Sequence, residues 1–195
     1  MNHPALASYA AQFVALDKKE EQAFLAAFEY KRLRKKQFLV QPDFVNQHRS
    51  FVLKGAFRSY IVTETGEEKT LQFAIENWWV SDFNSYLYQQ PARLFIVALE
   101  DSEIVQIPFN KEQQLKAEYH KIESFFRIMA EKGLAFEHRR ILTDLTLSAE
   151  ERYANFILNY PNFIQRVPQY ALASYLGMTP EFLSRIRKRQ LIKKA

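Results

Sequence analysis

The sequence predicts an α+β protein in which an N-terminal antiparallel β-sandwich or roll precedes a long helix and a C-terminal pair of short helices. Three observations support this fold class. Short runs of β-branched and aromatic residues fill the segment 38–109. A helical spacing of apolar residues takes over at Asn110, and Gly177 separates two short helical patterns near the end. The chain has 195 residues, 48% of them hydrophobic, so it can bury one large core or two small ones.

The first element is helical, because apolar residues between Ala5 and Phe28 recur at helical spacing. Asp17 and Glu20 form a predicted capping box, in which each side chain accepts a hydrogen bond from the backbone N–H of the other residue. We therefore expect a helix over 18–28.

Strands follow from residue 38 onward. The predicted strands are FLV, SFVLKG, FRSYIVT, KTLQFAI, RLFIVAL and SEIVQIPF. Turn signals separate them, at Pro42-Asp43, Lys54-Gly55 and Thr65-Gly66. Several short strands at this spacing are typical of an antiparallel sandwich or roll.

A long helix is predicted after Asn110, which we expect to be its N-cap, with a break near Tyr119 or His120. Its apolar stripe is longer than one small β domain can cover. The stripe consists of Leu115, Tyr119, Ile122, Phe126, Met129, Leu134, Ile141 and Leu145. It can form a seam with a second copy of the chain or pack on the chain's own sheet, and the residues leave both open. A separate helix over 149–159 follows, since Ser148 and Glu151 form a second capping box.

The corner at Gly177 joins two short helices. A glycine suits the positive φ at a helix end, while Thr179 is a good N-cap and Pro180 fits a first helical turn. The first helix offers a small apolar face formed by Leu172, Ala173 and Leu176. We expect the second helix to pack against it through Phe182, Leu183 and Ile186.

The outward side of the second helix is polar and basic. Its residues are Glu181, Ser184, Arg185, Lys188 and Arg189. From Arg166 to the end the chain carries seven basic residues and one acidic residue, although its formal net charge is only +5. Two short helices with such a face are the parts of a helix-turn-helix, whose second helix reads the major groove. The alternative is an ordinary helical hairpin with a solvated basic surface, and the concentration of charge at the corner favours DNA binding.

Several kinds of chemistry are not encoded. Without cysteine the chain forms no disulfide, thiolate metal site or cysteine-ligated cluster. The four histidines lack metal-ligand spacing, and only His48 lies in the strand segment, where a cupin-like metalloenzyme would need several. There is no glycine-rich phosphate loop and no nucleophile elbow, so we expect neither an enzyme nor a metal site. No signal-peptide pattern and no run of about 18 apolar residues occurs, which predicts a cytoplasmic protein with no membrane contact.

Over nearly its whole length the chain resembles the Crp-Fnr family of bacterial transcription regulators. ALEDSEIVQIPF (98–109) is similar to the last strands of that family's cyclic-nucleotide-binding β-roll, and QYALASYLGMTPEFLSRIRK (169–188) is similar to its DNA-reading unit. Together with SAEERY, the C-terminal part is particularly similar to a branch found in Bacteroidetes-type bacteria. The resemblance implies three parts: a sensor β-roll with N-terminal helices over 1–109, a linker and dimerisation helix over 110–145, and a helix-turn-helix DNA-binding domain over 146–195.

The resemblance also implies a homodimer on a pseudo-palindromic double-stranded DNA operator, with RNA polymerase as a further partner. Glu181 and Arg185 match the family's base-reading positions. The whole implied contact set is Gln169, Thr179, Glu181, Ser184, Arg185, Lys188 and Arg189. Pro180 stands where relatives often carry an arginine, so the usual operator sequence is not implied.

The sensor half departs from the family's cyclic-nucleotide binders, which hold the phosphate with a Gly-Glu pair and an arginine. The corresponding stretches here are Val80-Ser81-Asp82 and Pro91-Ala92-Arg93-Leu94. Ala92 stands in the place of the arginine, and a shift by one residue turns the Arg93 side chain to the opposite face. We therefore expect weak or no binding of cyclic nucleotide and no cofactor.

The effector remains unknown, with Asp82 and Arg93 as candidate contacts. A solvated turn carboxylate is the other interpretation of Asp82. The aromatic residues of this region either line an altered pocket or fill the roll: Trp78, Trp79, Phe83, Tyr86 and Tyr88. Taken together, the sequence predicts a sequence-specific DNA-binding transcriptional regulator. The alternative is a small-molecule-binding β-roll, cyclic nucleotides included, that acts through protein contacts without DNA.

Overall fold

A computed structural model describes residues 3–161 and 163–194, and side chains as far as Arg189. The helices in this part are α1 (Pro4–Ala10), α2 (Lys18–Ala26), α3 (Phe83–Tyr88), α4 (Phe109–Glu118), α5 (His120–Thr146), α6 (Ala149–Asn159), α7 (Gln169–Tyr175) and α8 (Pro180–Lys194). The strands are β1 (Glu29–Leu33), β2 (Phe38–Val40), β3 (His48–Lys54), β4 (Phe57–Val62), β5 (Glu68–Ala74), β6 (Trp79–Val80), β7 (Phe95–Ala98) and β8 (Ser102–Pro108). The chain is therefore an α+β protein, as predicted.

Capping signals located two helix starts correctly. The Asp17 carboxylate accepts hydrogen bonds from the N–H groups of Lys19 and Glu20, and the Glu20 carboxylate accepts one from the Asp17 N–H at 2.7 Å. The equivalent box at Ser148 begins α6, which has the predicted bounds. The predicted helix over 18–28 was too long by two residues, because α2 ends at Ala26; α1 is a separate helix before it.

The start of α4 was predicted two residues too late. Its N-cap is Pro108, and the side chain of Asn110 accepts a hydrogen bond from the N–H of Lys111 instead. The predicted break between the two long-helix segments is confirmed, because Tyr119 has an extended backbone with φ −125° and ψ 104°. The predicted stripe is therefore carried by two helices, α4 and α5.

The strands form two four-stranded sheets. Their orders are β1-β8-β3-β6 and β2-β7-β4-β5. In the first sheet β8 pairs antiparallel with both β1 and β3, in registers that include Glu29 opposite Gln106 and Arg49 opposite Ile107. All six predicted strands are present, and the structure adds β1 and β6.

By their internal contacts the residues fall into two compact units. Unit 1 comprises Met1–Ser59 and Phe73–Leu134, and unit 2 comprises Tyr60–Gln72 and Ala135–Ala195. The tip of the hairpin formed by β4 and β5 thus belongs with the C-terminal helices. This division differs from the three predicted parts, 1–109, 110–145 and 146–195. Their roles as sensor, dimerisation helix and DNA-binding domain stay a prediction.

Unit 1 has an aromatic core. Phe24, Phe125 and Phe126 are almost fully buried, with ring centroids 5.3 Å apart for Phe24–Phe125 and for Phe125–Phe126. The first half of the predicted helical stripe lies in this core, since Ile122 and Met129 of α5 are buried with the phenylalanines. That half of the stripe therefore packs on its own unit.

The turn between β3 and β4 depends on Gly55. Its φ is +106°, and an added Cβ would come within 2.8 Å of the Cα of Ser102. A side chain at residue 55 is thus excluded both by the backbone conformation and by the neighbouring strand.

Among the residues that the structure describes, none of the helices is sufficiently long and apolar to traverse a lipid bilayer.

Candidate nucleic-acid interface

The corner between α7 and α8 is a hydrogen-bonded helix end. The N–H of Met178 donates to the carbonyl of Ala173 at 3.0 Å, and the N–H of Gly177 donates to the carbonyl of Ser174 at 3.2 Å. These two bonds make a Schellman motif, which places the residue after the helix in the left-handed region. Gly177 has φ +67°, so the predicted role of this glycine is confirmed.

The next helix begins as predicted. The hydroxyl of Thr179 accepts a hydrogen bond from the N–H of Phe182 at 3.2 Å, which caps α8. The side chain of Gln169 donates to the carbonyl of Pro180 at 3.3 Å and so links the first residues of α7 and α8. Both helix starts therefore lie side by side.

The two helices pack through a small apolar contact. Leu172 and Ala173 of α7 are buried, and so are Leu183 and Ile186 of α8. The prediction was only partly right for Phe182, which is half-buried and lies under the guanidinium of Arg185, 5.4 Å from the ring centroid. Phe182 therefore supports an exposed cation in addition to the core.

The remaining face of α8 is exposed. The predicted DNA-contacting side chains all lie on the surface, namely Gln169, Thr179, Glu181, Ser184, Arg185, Lys188 and Arg189. Arg189 forms an exposed ion pair with Glu150 of α6, 2.9 Å between Nη1 and Oε1. The side chains of Lys193 and Lys194, which contribute to the predicted basic segment, lie outside the described residues. Contact with DNA stays a prediction for each residue.

Arg152 holds this corner against the preceding helices. Its Nε donates to the carbonyl of Leu176 at 3.0 Å, and its Nη1 donates to the carbonyls of Asp144 and Leu147 at 3.2 and 3.0 Å. These carbonyls lie at the C-terminal ends of α7 and α5, where a cation is favourable. No local sequence signal predicts this role, because the acceptors belong to the ends of two different helices, which meet at Arg152 only in the folded chain.

The hairpin tip is attached to the same helices by side chains. The hydroxyl of Ser174 accepts from the N–H of Thr70 at 2.8 Å and donates to the carbonyl of Glu68 at 2.9 Å. The guanidinium of Arg140 donates to the carbonyl of Leu71 and lies 4.5 Å from the ring centroid of Tyr175. Residues 60–72 are thus a part of the helical unit.

In unit 1 the predicted effector contact Asp82 is buried, with 3% of its surface exposed. One carboxylate oxygen accepts from the N–H of Ser85 at 3.0 Å, and the other accepts from the N–H groups of Arg93 and Leu94 at 3.0 and 3.1 Å. The interpretation of Asp82 as a solvated turn carboxylate was wrong, because the side chain is buried. It caps α3 and joins this helix to the residues just before β7.

The neighbouring residues agree with a shift by one position. Ala92 is buried, whereas the side chain of Arg93 is exposed. Effector binding by Asp82 and Arg93 stays a prediction. The five aromatic residues are divided in their environment: Tyr86 is buried, Trp78 and Trp79 are half-buried against the cores, and Phe83 and Tyr88 are exposed.

A buried ion cluster beside α3 was not predicted. Glu112 of α4 is fully buried and lies 3.1 Å from Nε of Arg49 and 2.6 Å from Nζ of Lys116. The hydroxyl of Tyr86 donates to the same carboxylate at 2.8 Å. Burial and the adjacent carboxylate raise the pKa of Tyr86, so this hydroxyl remains a donor at neutral pH. The cluster joins β3, α3 and α4.

Within residues 3–161 and 163–194, no three histidine, aspartate or glutamate side chains come together in an arrangement that could hold a metal ion.

In a comparison with known protein families, residues 30–119 match the cyclic nucleotide-binding domain. Electron transport regulator A of Shewanella oneidensis is 29% identical over 147 residues, which cover 69% of this chain and 58% of that protein. The fumarate and nitrate reduction regulatory protein of Yersinia pestis is also 29% identical, over 146 residues that cover 69% of this chain and 58% of that protein. The chain thus spans little more than half the length of these relatives.

Solved structures share the fold. The c-di-GMP responsive global regulator CLP of Xanthomonas campestris superposes with a TM-score of 0.73 at 16% identity, covering 91% of this chain and 93% of that one. FixK2 of Bradyrhizobium japonicum also gives a TM-score of 0.73, at 18% identity and with 86% of each chain covered. These neighbours match both the β-rich part and the C-terminal helices.

Proposed function

We propose that the chain, which resembles the Crp-Fnr family in sequence and fold, is a sequence-specific DNA-binding transcriptional regulator. The observation that carries the proposal is the exposed polar face of α8, set on a hydrogen-bonded glycine corner. A recognition helix needs a rigid support and free side chains near its start, and α8 has both. We place this activity in the cytoplasm, where the operator would lie.

The chemistry of that face fits base edges and phosphates. Arg185 can donate two hydrogen bonds to guanine O6 and N7, and Glu181 can accept from cytosine N4. These two residues are four apart and therefore lie on one side of the helix. Phosphate contacts fall to Lys188 and Arg189 further along α8, and to Gln169 and Thr179 beside the helix starts.

A second copy of the chain would provide the twofold symmetry of an operator. The second half of α5 leaves apolar side chains exposed, at spacings typical of a helix seam. They are Leu134, Ile141, Leu142 and Leu145, with 59%, 53%, 60% and 77% of their surface exposed. We propose that this exposed stripe of α5 is the dimer seam, while the buried half serves the core of unit 1.

The segment from Asp82 to Leu94, called the sensor loop below, does not fit a cyclic nucleotide. Asp82 already takes the three N–H groups that converge at the start of α3, and its negative charge would repel a phosphate. Ala92 supplies no charge in the buried position. We therefore propose that cyclic nucleotide is not the effector. From the family resemblance we also propose that RNA polymerase is a further partner of the DNA-bound dimer.

The test is selection of binding sites from random duplexes, followed by anisotropy titrations at several salt concentrations. Arg185→Ala should weaken binding to the selected site by about 1–3 kcal/mol and relax the preference at one position, because a bidentate base contact is lost. Arg127→Ala is the matched control, since Arg127 is exposed and pairs with Glu131 on α5. If no sequence is selected, or if variants at both Glu181 and Arg185 keep the full preference, the proposal is wrong. In that case a β-roll acting through protein contacts becomes the better account.

The seam is tested separately by sedimentation. Leu145→Glu should shift the chain toward monomer, whereas the same change at exposed Leu158 of α6 should not. A wild-type chain that is monomeric at micromolar concentration with and without operator would contradict the dimer.

A further inference from the structure

Unit 2 contains a cavity that the proposed DNA contacts do not use. Its volume is about 320 Å³, and its walls are formed by the second half of α5, by α6 and by the end of α7. Sites for small molecules typically begin at about 300 Å³, so the cavity can hold one small ring compound. The exposed face of α8 contributes none of its lining.

The charge of the lining is positive. Three guanidinium groups border the cavity, those of Arg139, Arg140 and Arg152, against the single carboxylate of Asp144. Asp144 lies 3.8 Å from Nε of Arg140 and is therefore occupied by that residue. Arg152 is bound to helix-end carbonyls, which accept hydrogen bonds but carry no full charge to neutralise it.

Arg139 differs from the other two. Its side chain is exposed at the cavity, and no carboxylate among the described side chains pairs with it. A guanidinium presents parallel N–H donors that match the two oxygens of a carboxylate or sulfonate. This is the group in the lining that is available for an acid.

The rest of the lining is aromatic. The ring of Phe156 lies 5.7 Å from that of Tyr175 and 5.3 Å from that of Tyr160. Desolvation on burial raises the pKa of Tyr175 to about 12, so this ring is neutral at physiological pH and does not repel an anion. Asn155 completes the rim with an exposed amide. Aromatic walls around a planar guest favour offset or edge-to-face ring contacts.

We propose that this cavity binds a small organic anion with a planar aromatic ring, whose acid group pairs with Arg139 and whose ring lies among Phe156, Tyr160 and Tyr175. A molecule there touches α5, α6 and α7 at once and stabilises their mutual arrangement by mass action. The site is distinct from the β-roll, and its occupancy does not depend on DNA binding by α8.

The test uses the full chain and the fluorescent aromatic sulfonate 1-anilinonaphthalene-8-sulfonate. The wild type should bind it saturably, and salicylate should displace it while the uncharged analogue salicylamide should not. Arg139→Gln should weaken binding about tenfold, because one charged hydrogen-bonding group is removed. Arg127→Gln is the control and should leave the affinity unchanged. Arg127 is an exposed arginine nearer the start of α5 and does not line the cavity.

A second variant tests the cavity itself. Asn155→Trp places a large ring in the rim from an exposed position, so it should abolish binding while circular dichroism remains that of the wild type. Equal affinity of the wild type and Arg139→Gln, or displacement by salicylamide as readily as by salicylate, overturns the proposal in favour of adsorption to apolar surface. If Asn155→Trp does not fold, the comparison of Arg139→Gln with Arg127→Gln alone tests the proposal.

Discussion

Two regions, the surroundings of Asp82 and Glu112 in unit 1 and the outer face of α8 in unit 2, use charged side chains in opposite ways. In unit 1, Glu112 and Asp82 are buried and their oxygens accept hydrogen bonds or ion pairs from the protein itself. In unit 2, Arg185 and Lys188 project from α8 into solvent. A charged group that is satisfied internally holds structure together, whereas one left in solvent can meet a partner. The contrast supports the proposed recognition role of unit 2, whereas the Asp82 carboxylate of unit 1 is occupied by hydrogen bonds from its own chain.

The largest effect is expected where a buried charge loses its partner. Glu112→Ala leaves Arg49 buried without its carboxylate and Tyr86 without its acceptor, so we expect a loss of about 3–5 kcal/mol in the free energy of unfolding. Chemical denaturation would measure it. Lys111→Ala is the control on the same helix: it breaks an exposed pair with Glu29 and should cost less than about 1 kcal/mol. Equal losses for the two variants would mean that burial does not set the value of these charges.

A smaller loss is expected at the closed sensor loop. Asp82→Asn keeps the shape but replaces one accepting oxygen with an NH₂ group, so at least one of three buried N–H groups loses its acceptor. We expect a cost of about 1–3 kcal/mol in denaturation. The control is Asp101→Asn, where an exposed carboxylate accepts a single N–H from Lys35. If Asp82→Asn were neutral and bound cyclic AMP no better, the carboxylate would not be the element that closes the loop.

A still smaller effect is expected at the exposed helix α8 of unit 2. Thr179→Ala removes the N-cap of α8 and should cost about 1 kcal/mol, because the N–H of Phe182 loses its acceptor. Ser184→Ala removes a hydroxyl within the same helix and should be neutral or slightly stabilising. Hydrogen exchange of the first-turn amides would separate a local from a global effect.

The smallest effect should depend on pH. Hydrogen bonds from the side chain and the backbone N–H of Ser148 lower the pKa of Glu151, which is fully exposed. Since folding favours the carboxylate form, its contribution is complete above the ordinary glutamate pKa and disappears as the pH falls through the lowered value. Glu151→Gln should therefore destabilise α6 at pH 7 more than at pH 3. A difference that grew on acidification would contradict the capping role.

The comparison also explains what the sequence could predict. Capping boxes, the Schellman corner and α6 depend on residues within a few positions of each other, and these were located to the residue. The exposed face of α8 followed from its helical period. Such features need only local geometry and the separation of polar from apolar side chains.

Features that join distant segments were missed. The sequence of β1 is polar and gives no strand pattern. The segment is a strand because it pairs with β8 about seventy residues later. The Glu112 cluster and the contacts of Arg152 need the fold before their partners meet. The burial of Asp82 had a weak local signal, since an aspartate three residues before Ser85 is a helix N-cap pattern, but its bonds to Arg93 and Leu94 depend on the loop that follows.

The close approach of Gly55 to Ser102 has a consequence for how the protein can change over generations. Residue 55 can accept no methyl group, and a larger residue at 102 would press against the same backbone. An amino-acid change at either position is therefore tolerated only with a compensating change at the other. Homologues with a larger residue at 102 should also have a longer or displaced turn between β3 and β4. Such paired changes would trace this contact in sequences for which no coordinates exist.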